Sequence, residues 1–425
     1  MIEKWLNEVR YHRVYVRFFN GVSLRKTTNI LILEIRKFIY KLSLLSDTLI
    51  KPSNHIKHLD MNRIKRSTPK RILYLYLICF CSSVVLLSCG SHKGNRLSRN
   101  TEDLVIYPAP PDTTRIQYLT SISSSLSIGK KQSAFNKLLF GETSPMFIRK
   151  PYGVTINNGK IYVCDLDIAG LEIIDLKNNT FEYFVPKGLG QLKTPINCHI
   201  DDKGQLYISD SDRGQVVIFD KDLRFVDNIG EKENFRPTDV FVHRNKIYIV
   251  NVKDHFIRVY NRDDFSFLHN IPNEKEESAG KIFTATNLYV NDSGVYVSDM
   301  GDFSIKRYGL DGDFISKIGN LGSNLGQLVR PKGVAVDRES NVYVVDSSFE
   351  NAQIFNNKGE LLMFFGGPYR GPGDMYLPAK IAIDYENLEY FESLVDERFT
   401  LEYLILVSNQ FGPDKINVYG KVRNN

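Results

Sequence analysis

A segment of roughly 45 residues recurs six times in the second part of this chain. Its copies begin at a Pro, or in one case at an Ala, and the starting residues are Pro151, Pro195, Pro237, Ala285, Pro331 and Pro378. Neighbouring starts are separated by 44, 42, 48, 46 and 47 residues. This period is typical of a four-stranded propeller blade and exceeds that of the shorter helical or leucine-rich repeats. The repeat therefore predicts an all-β fold.

Each copy predicts its own set of strands. A first segment with alternating apolar residues is followed by a turn rich in Asn, Asp and Gly. The second strand has a common pattern, seen in "KIYVCD", "QLYISD", "KIYIVN", "GVYVSD" and "NVYVVD". A third strand ends on an apolar or aromatic residue, and an outer strand such as "RFVDNIG" completes the unit.

The last copy has no fourth strand before the chain stops. A matching segment, "RIQYLTSIS", occurs at Arg115–Ser123, ahead of the first copy. Pairing this strand with the last copy closes the ring and leaves only short sheet edges. We therefore predict a six-bladed β-propeller over residues 113–425, with the last blade closed by the N-terminal strand.

A second feature lies upstream of the repeats. A basic patch ending at Arg71 precedes an uncharged stretch over 72–87 and then the small-residue segment "LLSCG", which contains Cys89. These are the parts of a secretory signal, and the segment resembles the lipobox of bacterial lipoproteins. The expected organisation is an upstream extension without function (1–60), a lipoprotein signal peptide starting at Met61 (61–88) and a lipid-proximal linker (89–112). A short transmembrane anchor is the alternative.

Charge and cysteine content argue against nucleic-acid binding and against a fold held together by several disulfides. The chain carries a formal net charge of +6. Residues 1–71 contribute +11 of this, so the remainder is acidic at −5 and has no nucleic-acid motif. Cys164 and Cys198 are expected to be buried thiols, with one disulfide as the alternative. No cofactor is predicted, because the sequence lacks haem-attachment and metal-binding spacings.

The second-strand pattern and connectors such as "GSNLGQLVRPKGVAVD" give the chain a family resemblance. Following a lipobox, they resemble exported six-bladed propellers of the NHL-repeat type. The resemblance implies a lipid-anchored binding or scaffold protein of the bacterial envelope, periplasmic or at the cell surface. It also implies that the partner is an envelope protein, and a multihaem cytochrome is one candidate. A hydrolase or lyase with a metal site in the central channel is the alternative function.

Two sets of repeated residues are candidates for a role. Six Asx residues close the second strands and are expected to stabilise turns rather than to bind metal: Asp165, Asp210, Asn251, Asp299, Asp346 and Asn409. Four basic residues precede the repeat starts and are expected to surround the channel mouth as a partner-binding ring: Lys150, Lys193, Arg236 and Arg330. No catalytic or metal-binding residue is assigned.

Overall fold

The computed structural model describes residues 104–129, 144–231, 233–273 and 279–425. The extension (1–60), the signal peptide (61–88) and Cys89 all lie outside the described residues, so these assignments stay predictions. The described part is all-β, with six antiparallel sheets. No helix in this part is long and apolar enough to cross a membrane.

Six strands line the centre, one from each blade. These inner strands are β3 (Pro151–Asn157), β7 (Pro195–Ile200), β11 (Pro237–His243), β15 (Ala285–Asn291), β19 (Pro331–Val336) and β23 (Pro378–Asp384). The second strands are β4 (Lys160–Asp165), β8 (Leu206–Asp210), β12 (Lys246–Asn251), β16 (Gly294–Asp299), β20 (Val342–Asp346) and β24 (Phe399–Asn409).

Outside them lie the third and outer strands. The third strands are β5 (Gly170–Asp175), β9 (Gln215–Phe219), β13 (Phe256–Asn261), β17 (Ser304–Tyr308), β21 (Asn351–Phe355) and β25 (Ile416–Asn424). The outer strands are β6 (Thr180–Phe184), β10 (Phe225–Ile229), β14 (Phe267–Ile271), β18 (Phe314–Ile318), β22 (Leu361–Gly366) and, from the N-terminal part, β2 (Ile116–Ile122). Short helices are α1 (Ser125–Ile128) and three 3-10 turns, Gly188–Gly190, Leu388–Tyr390 and Glu392–Leu394.

The predicted closure of the last blade is confirmed. Strand β2 pairs with β25 in antiparallel register, with Ile116 opposite Lys421 and Ile122 opposite Ile416. A short strand β1 (Ile106–Tyr107) pairs with β2 on its outer side, so this sheet has five strands. The N-terminal segment thus covers what would otherwise be an open sheet edge.

The apolar core lies mainly between neighbouring blades. Tyr207, Tyr248, Tyr296 and Tyr343 of the second strands are each at most 2% exposed. Cys164 of the first blade and Cys198 of the second pack in one such cluster, and both are free thiols. Burial, and then the neighbouring Cys198, raises the pKa of the Cys164 thiol. A protonated, enclosed thiol of this kind is a packing group.

The inner strands form a closed ring, each contacting the next and β23 contacting β3. Each inner strand also carries a register shift just after its first residue, where it pairs with its second strand. A β-bulge redirects side chains relative to a regular strand. Because the bulge recurs in all six blades, the residues just after the repeat start are directed toward the channel near its mouth.

Candidate functional site at the channel mouth

The six Asx residues that close the second strands hold the start of the inner strands in place. Asp346 Oδ2 accepts from the Arg330 N–H at 3.0 Å, and Asp165 Oδ2 accepts from the Lys150 N–H at 2.9 Å. Equivalent bonds from the residues before the inner strand reach the other four carboxyl or amide groups: Asp210, Asn251, Asp299 and Asn409. Their hydrogen bonds fix the backbone at one face of the ring.

The four basic residues of the expected ring lie on this face but in different surroundings. The Lys150 ammonium lies 5.9 Å from the centre of the Phe411 ring. Arg236 approaches Asp212 at 3.9 Å, and both side chains are exposed. Lys193 and Arg330 are exposed and make no ion pair with any described residue. Three of the four charges, those of Lys150, Lys193 and Arg330, therefore have no counter-charge among the described residues.

Apolar side chains are exposed on the same face. They belong to the connections leading into the inner strands or to the loops after the second strands, and they are Phe147, Leu189, Phe283, Leu321, Leu325, Tyr376 and Phe411. Leu189 is 76% exposed, and the rings of Tyr376 and Phe411 contact each other at 6.0 Å. With Lys150 over Phe411, these two rings form a mixed basic and aromatic patch, which we call the Phe411 patch.

Inside the mouth, a buried ion pair crosses the channel. Lys380 Nζ of the sixth blade lies 2.5 Å from Asp239 Oδ2 of the third blade, which faces it across the ring. Asp239 is fully buried and also accepts from the Leu288 N–H at 2.9 Å. Each of these residues is third in its inner strand, just past the bulge. The pair therefore links two opposite blades.

Residues at the equivalent position in the other blades complete this layer. Asn197 donates to the Thr238 carbonyl at 2.7 Å, while the Oδ1 atoms of Asn197 and Asn287 are buried without a partner among the described residues. Gly153 has no side chain, and a Cβ there would lie 2.6 Å from the Asn197 Cα. Close strand approach in this layer thus requires glycine beside the bulky polar groups.

Lys332 lies one residue nearer the mouth and has no such partner. It is only 7% exposed, and it makes no hydrogen bond or ion pair with a described residue. Its Nζ lies 4.9 Å from the centre of the Tyr152 ring. Burial, and then the Arg330 guanidinium, lowers the pKa of Lys332 to about 8. The ammonium is therefore held in the channel at an electrostatic cost.

An aromatic arc lies further along the channel. The His199 and Phe241 ring centres are 4.1 Å apart, and those of Phe241 and Tyr289 are 5.1 Å apart. Burial, and then the Lys380 ammonium, lowers the pKa of His199 to about 3, so its imidazole is neutral at ordinary pH. No group of three or more His, Cys, Asp or Glu side chains among the described residues is placed to hold a metal ion.

A separate cleft of about 510 Å³ opens between the fifth and sixth blades. Its walls include Arg115, just before β2, Lys421 of β25, and Glu339 and Met363 from the fifth blade. Glu339 lies in the loop after an inner strand, so the cleft opens away from the face that carries the basic residues. It is not part of the channel-mouth site.

The channel residues Tyr152, Asp239, Lys332 and Lys380 are absent from the sequence predictions. A signal for them does exist in the repeats. The first segment of each copy is otherwise built of apolar, small or uncharged polar residues near its start, yet "PTD", "PKG" and "PAK" place a charge there. The repeats alone do not say which of these charges meet, because that depends on the bulge and on which blades face each other.

Comparisons with known proteins add a likeness of fold. No protein-family profile matches the chain, and no curated protein does. A Bacteroides thetaiotaomicron protein of unknown function aligns with 73% of this chain and 76% of its own, at 14% identity and a TM-score of 0.51. A streptogramin B lyase covers 64% of this chain and 82% of its own at 13% identity, with a TM-score of 0.45.

A virginiamycin B lyase from Staphylococcus aureus is also similar. It covers 63% of this chain and 83% of its own at 12% identity, with a TM-score of 0.43. At these identities a likeness concerns the chain's fold, and of these three proteins the Bacteroides one has a TM-score high enough to support it. The fold is an all-β, six-bladed propeller.

Proposed function

We propose that this chain is a lipid-anchored binding or scaffold protein of the bacterial envelope, whose propeller docks an acidic protein on the face where the inner strands begin. The observation that carries the proposal is the combination of uncompensated charge and exposed apolar surface on that face. Lys193 and Arg330 have no ion-pair partner among the described residues, and the Phe411 patch adds exposed aromatic area.

The charge distribution supports an acidic partner. The chain beyond Arg71 has a net charge of −5, yet Lys150, Arg236 and Arg330 hold the same position in three blades, and Lys193 is one residue away from it in a fourth. Complementary charge at the rim of an interface accelerates association and depends on salt, while buried apolar contacts contribute most of the affinity. Aromatic residues and Arg are the residue types enriched at such interfaces.

Lipidation at Cys89 would hold the propeller at a membrane surface. Stable anchoring by lipid alone takes two signals, which a lipoprotein cysteine carrying more than one acyl chain supplies. The resemblance to exported propellers favours a partner in the same compartment, and a multihaem cytochrome of an electron-transfer assembly is the partner class it favours. The periplasm and the cell surface both satisfy this arrangement.

Partner capture tests the docking face. A variant with Lys150, Lys193 and Arg330 changed to Gln is expected to fold normally, because exposed single charges alter stability by only about 0.5 kcal/mol each. It should capture less partner than the parent in pull-downs from detergent-solubilised membranes, and the deficit should shrink as salt is raised. Mass spectrometry of the captured proteins identifies the partner.

A matched variant controls for net charge. Lys177, Lys221 and Lys358 are exposed and lie in turns between third and outer strands, on the opposite face. Changing these three to Gln removes the same charge and should leave capture unaltered. Equal capture by the parent and both variants at every salt concentration would refute the docking face.

A separate variant tests the anchor. Cys89→Ser removes the thiol that carries the lipids and should move the protein from the membrane fraction to the soluble fraction, or leave an unprocessed precursor. Fractionation followed by intact-mass measurement distinguishes these states from the lipidated form. A membrane-bound variant with normal processing would contradict lipid anchoring while leaving the docking face untouched.

A further inference from the structure

Lys332 differs from the other deeply buried lysines of the propeller. Lys380 and Lys306 are also at most 8% exposed, and each meets a carboxylate, Asp239 at 2.5 Å and Asp299 at 2.9 Å. Lys332 meets none among the described residues. A buried charge is normally paired, since removing an ammonium from water without a counter-charge is costly. An unpaired one therefore needs an explanation.

The ammonium of Lys332 is directed into the channel. The small part of the residue that stays exposed includes its Nζ atom. Lys332 and Tyr152 belong to the fifth and first blades, and Ala379 stands at the equivalent position of the sixth blade between them. Because Ala379 has only a methyl group, the lysine reaches the Tyr152 ring across the gap. The group lies at a solvent-accessible point of the mouth.

The Tyr152 hydroxyl is available at the same place. It has no hydrogen-bond partner among the described residues, and Tyr152 as a whole is half-buried. Burial raises the pKa of Tyr152, so the hydroxyl stays protonated and can donate. Asp239, the carboxylate whose charge acts on Tyr152, is already compensated by Lys380. One free positive charge and one free donor thus face the same space.

We propose that Lys332 and the Tyr152 hydroxyl form an anion-binding site in the channel mouth that takes a single carboxylate group. A carboxylate matches the site in charge, because its single negative charge balances the one uncompensated ammonium. It also matches in hydrogen bonding, because its two oxygens can accept from the Lys332 N–H and the Tyr152 O–H. Arg330 at the rim adds a second cation on the way in. The site goes beyond the docking proposal and does not depend on it.

Lysine reactivity measures occupancy of the site. The intact protein is treated with an amine-acylating ester near neutral pH, with sodium acetate as the probe and sodium chloride at equal ionic strength as reference. Acylation of Lys332, followed by peptide mass spectrometry, should slow about tenfold when acetate is at ten times its Kd, because only the free fraction reacts. Lys358, exposed in an outer turn, is the internal control.

A variant provides a second readout. Lys332→Met fills the same channel space without a charge, and its thermal unfolding should show no acetate-dependent rise in Tm, whereas the parent and Lys358→Gln both should. Unchanged acylation of Lys332 in acetate, or an equal acetate effect on the Tm of parent and Lys332→Met, would overturn the site.

The source of the carboxylate is decided by partner capture. If an acidic side chain of the partner supplies it, Lys332→Met weakens capture and acetate competes with the partner. If a small carboxylate supplies it, capture is unchanged while acetate still protects Lys332. Changing only Lys150 and Lys193 to Gln leaves Arg330 beside the anion site. Loss of docking in this double variant, with normal acetate protection of Lys332, would show that docking and anion binding are independent.

Discussion

Lys380 and Lys332 lie one layer apart in the same channel and are equally buried, yet only Lys380 has a counter-charge. Lys380 meets Asp239 from the opposite blade, and the pair links two sides of the ring. Lys332 lies over the face of Tyr152, a contact that compensates a charge only partly. The comparison separates two uses of a buried cation.

A paired lysine is part of the architecture, because its charge is satisfied whether or not anything binds. Lys306, enclosed with Asp299 and close to Asp302 at 3.1 Å, is another example within this fold. An unpaired lysine leaves a charge that an incoming anion can satisfy. The difference predicts opposite changes in the free energy of unfolding when each lysine is replaced by an apolar residue of similar length. Replacing Lys380 should destabilise the protein, and replacing Lys332 should stabilise it.

The largest effect is expected for Lys380→Met. This change leaves the Asp239 carboxylate buried and unpaired, and breaking a buried pair in this way costs about 3–5 kcal/mol of the free energy of unfolding. Urea denaturation should show a large fall in the midpoint. An unfolding midpoint equal to that of the parent would mean that Asp239 is compensated by something other than Lys380.

A double variant separates the lost charge from lost packing. Asp239→Asn in the Lys380→Met background removes the orphaned charge but keeps an acceptor for the Leu288 N–H. It should restore part of the stability that Lys380→Met loses, as the stranded charge is the costly element. If the double variant is less stable than Lys380→Met alone, packing of the lysine stem accounts for the loss.

The fold was predictable because the same strand pattern recurs in six copies along the sequence. All six copies end the second strand on an Asx residue, and five of them place Tyr three residues earlier, so an ambiguous pattern in one copy is resolved by the others. Closure by β2 was predictable for a related reason. The last repeat lacks its outer strand, and β2 is a strand of the outer type that belongs to no other repeat. Repetition supplies within one chain the information that single segments do not hold.

The channel site was not predictable by the same route. Tyr152, Asp239, Lys332 and Lys380 are the residues in which the repeats differ, so alignment of the copies treats them as variation. Their role depends on contacts across the ring, between blades that are far apart in sequence. The bulge matters too, because it directs the residues after the repeat start toward the channel, where a regular strand would alternate them between faces.

A smaller effect, of opposite sign, is expected for Lys332→Met. The pKa of Lys332 is lowered from 10.5 to about 8 in the folded protein, so the unfolded chain binds a proton more readily between these values. Stability of the parent therefore gains from rising pH across this window, and the penalty is fully present below it. Removing the amine should stabilise the protein at neutral pH by about 1–3 kcal/mol.

The decisive measurement is how the difference in unfolding free energy between the parent and Lys332→Met depends on pH. Urea unfolding of parent and Lys332→Met should give curves that differ most below about pH 8 and converge toward pH 10.5. Taking the difference cancels the other groups that titrate in this range, including Glu172, whose pKa burial raises to about 10. A variant less stable than the parent at neutral pH would place a hidden counter-charge beside Lys332 and remove its contrast with Lys380.

The smallest effect is expected for Tyr152→Phe, which tests whether the hydroxyl belongs to the anion site. The ring that lies beneath the Lys332 ammonium is kept, and the hydroxyl has no partner to lose among the described residues, so the unfolding midpoint should hardly move. Acetate affinity, measured by protection of Lys332, should fall about fivefold, the size expected for one lost hydrogen bond of about 1 kcal/mol. Unchanged affinity in Tyr152→Phe, with affinity lost in Lys332→Met, would assign anion binding to the lysine charge without the tyrosine. The hydroxyl would then be a bystander, and the distinction between the two lysines would rest on charge compensation alone.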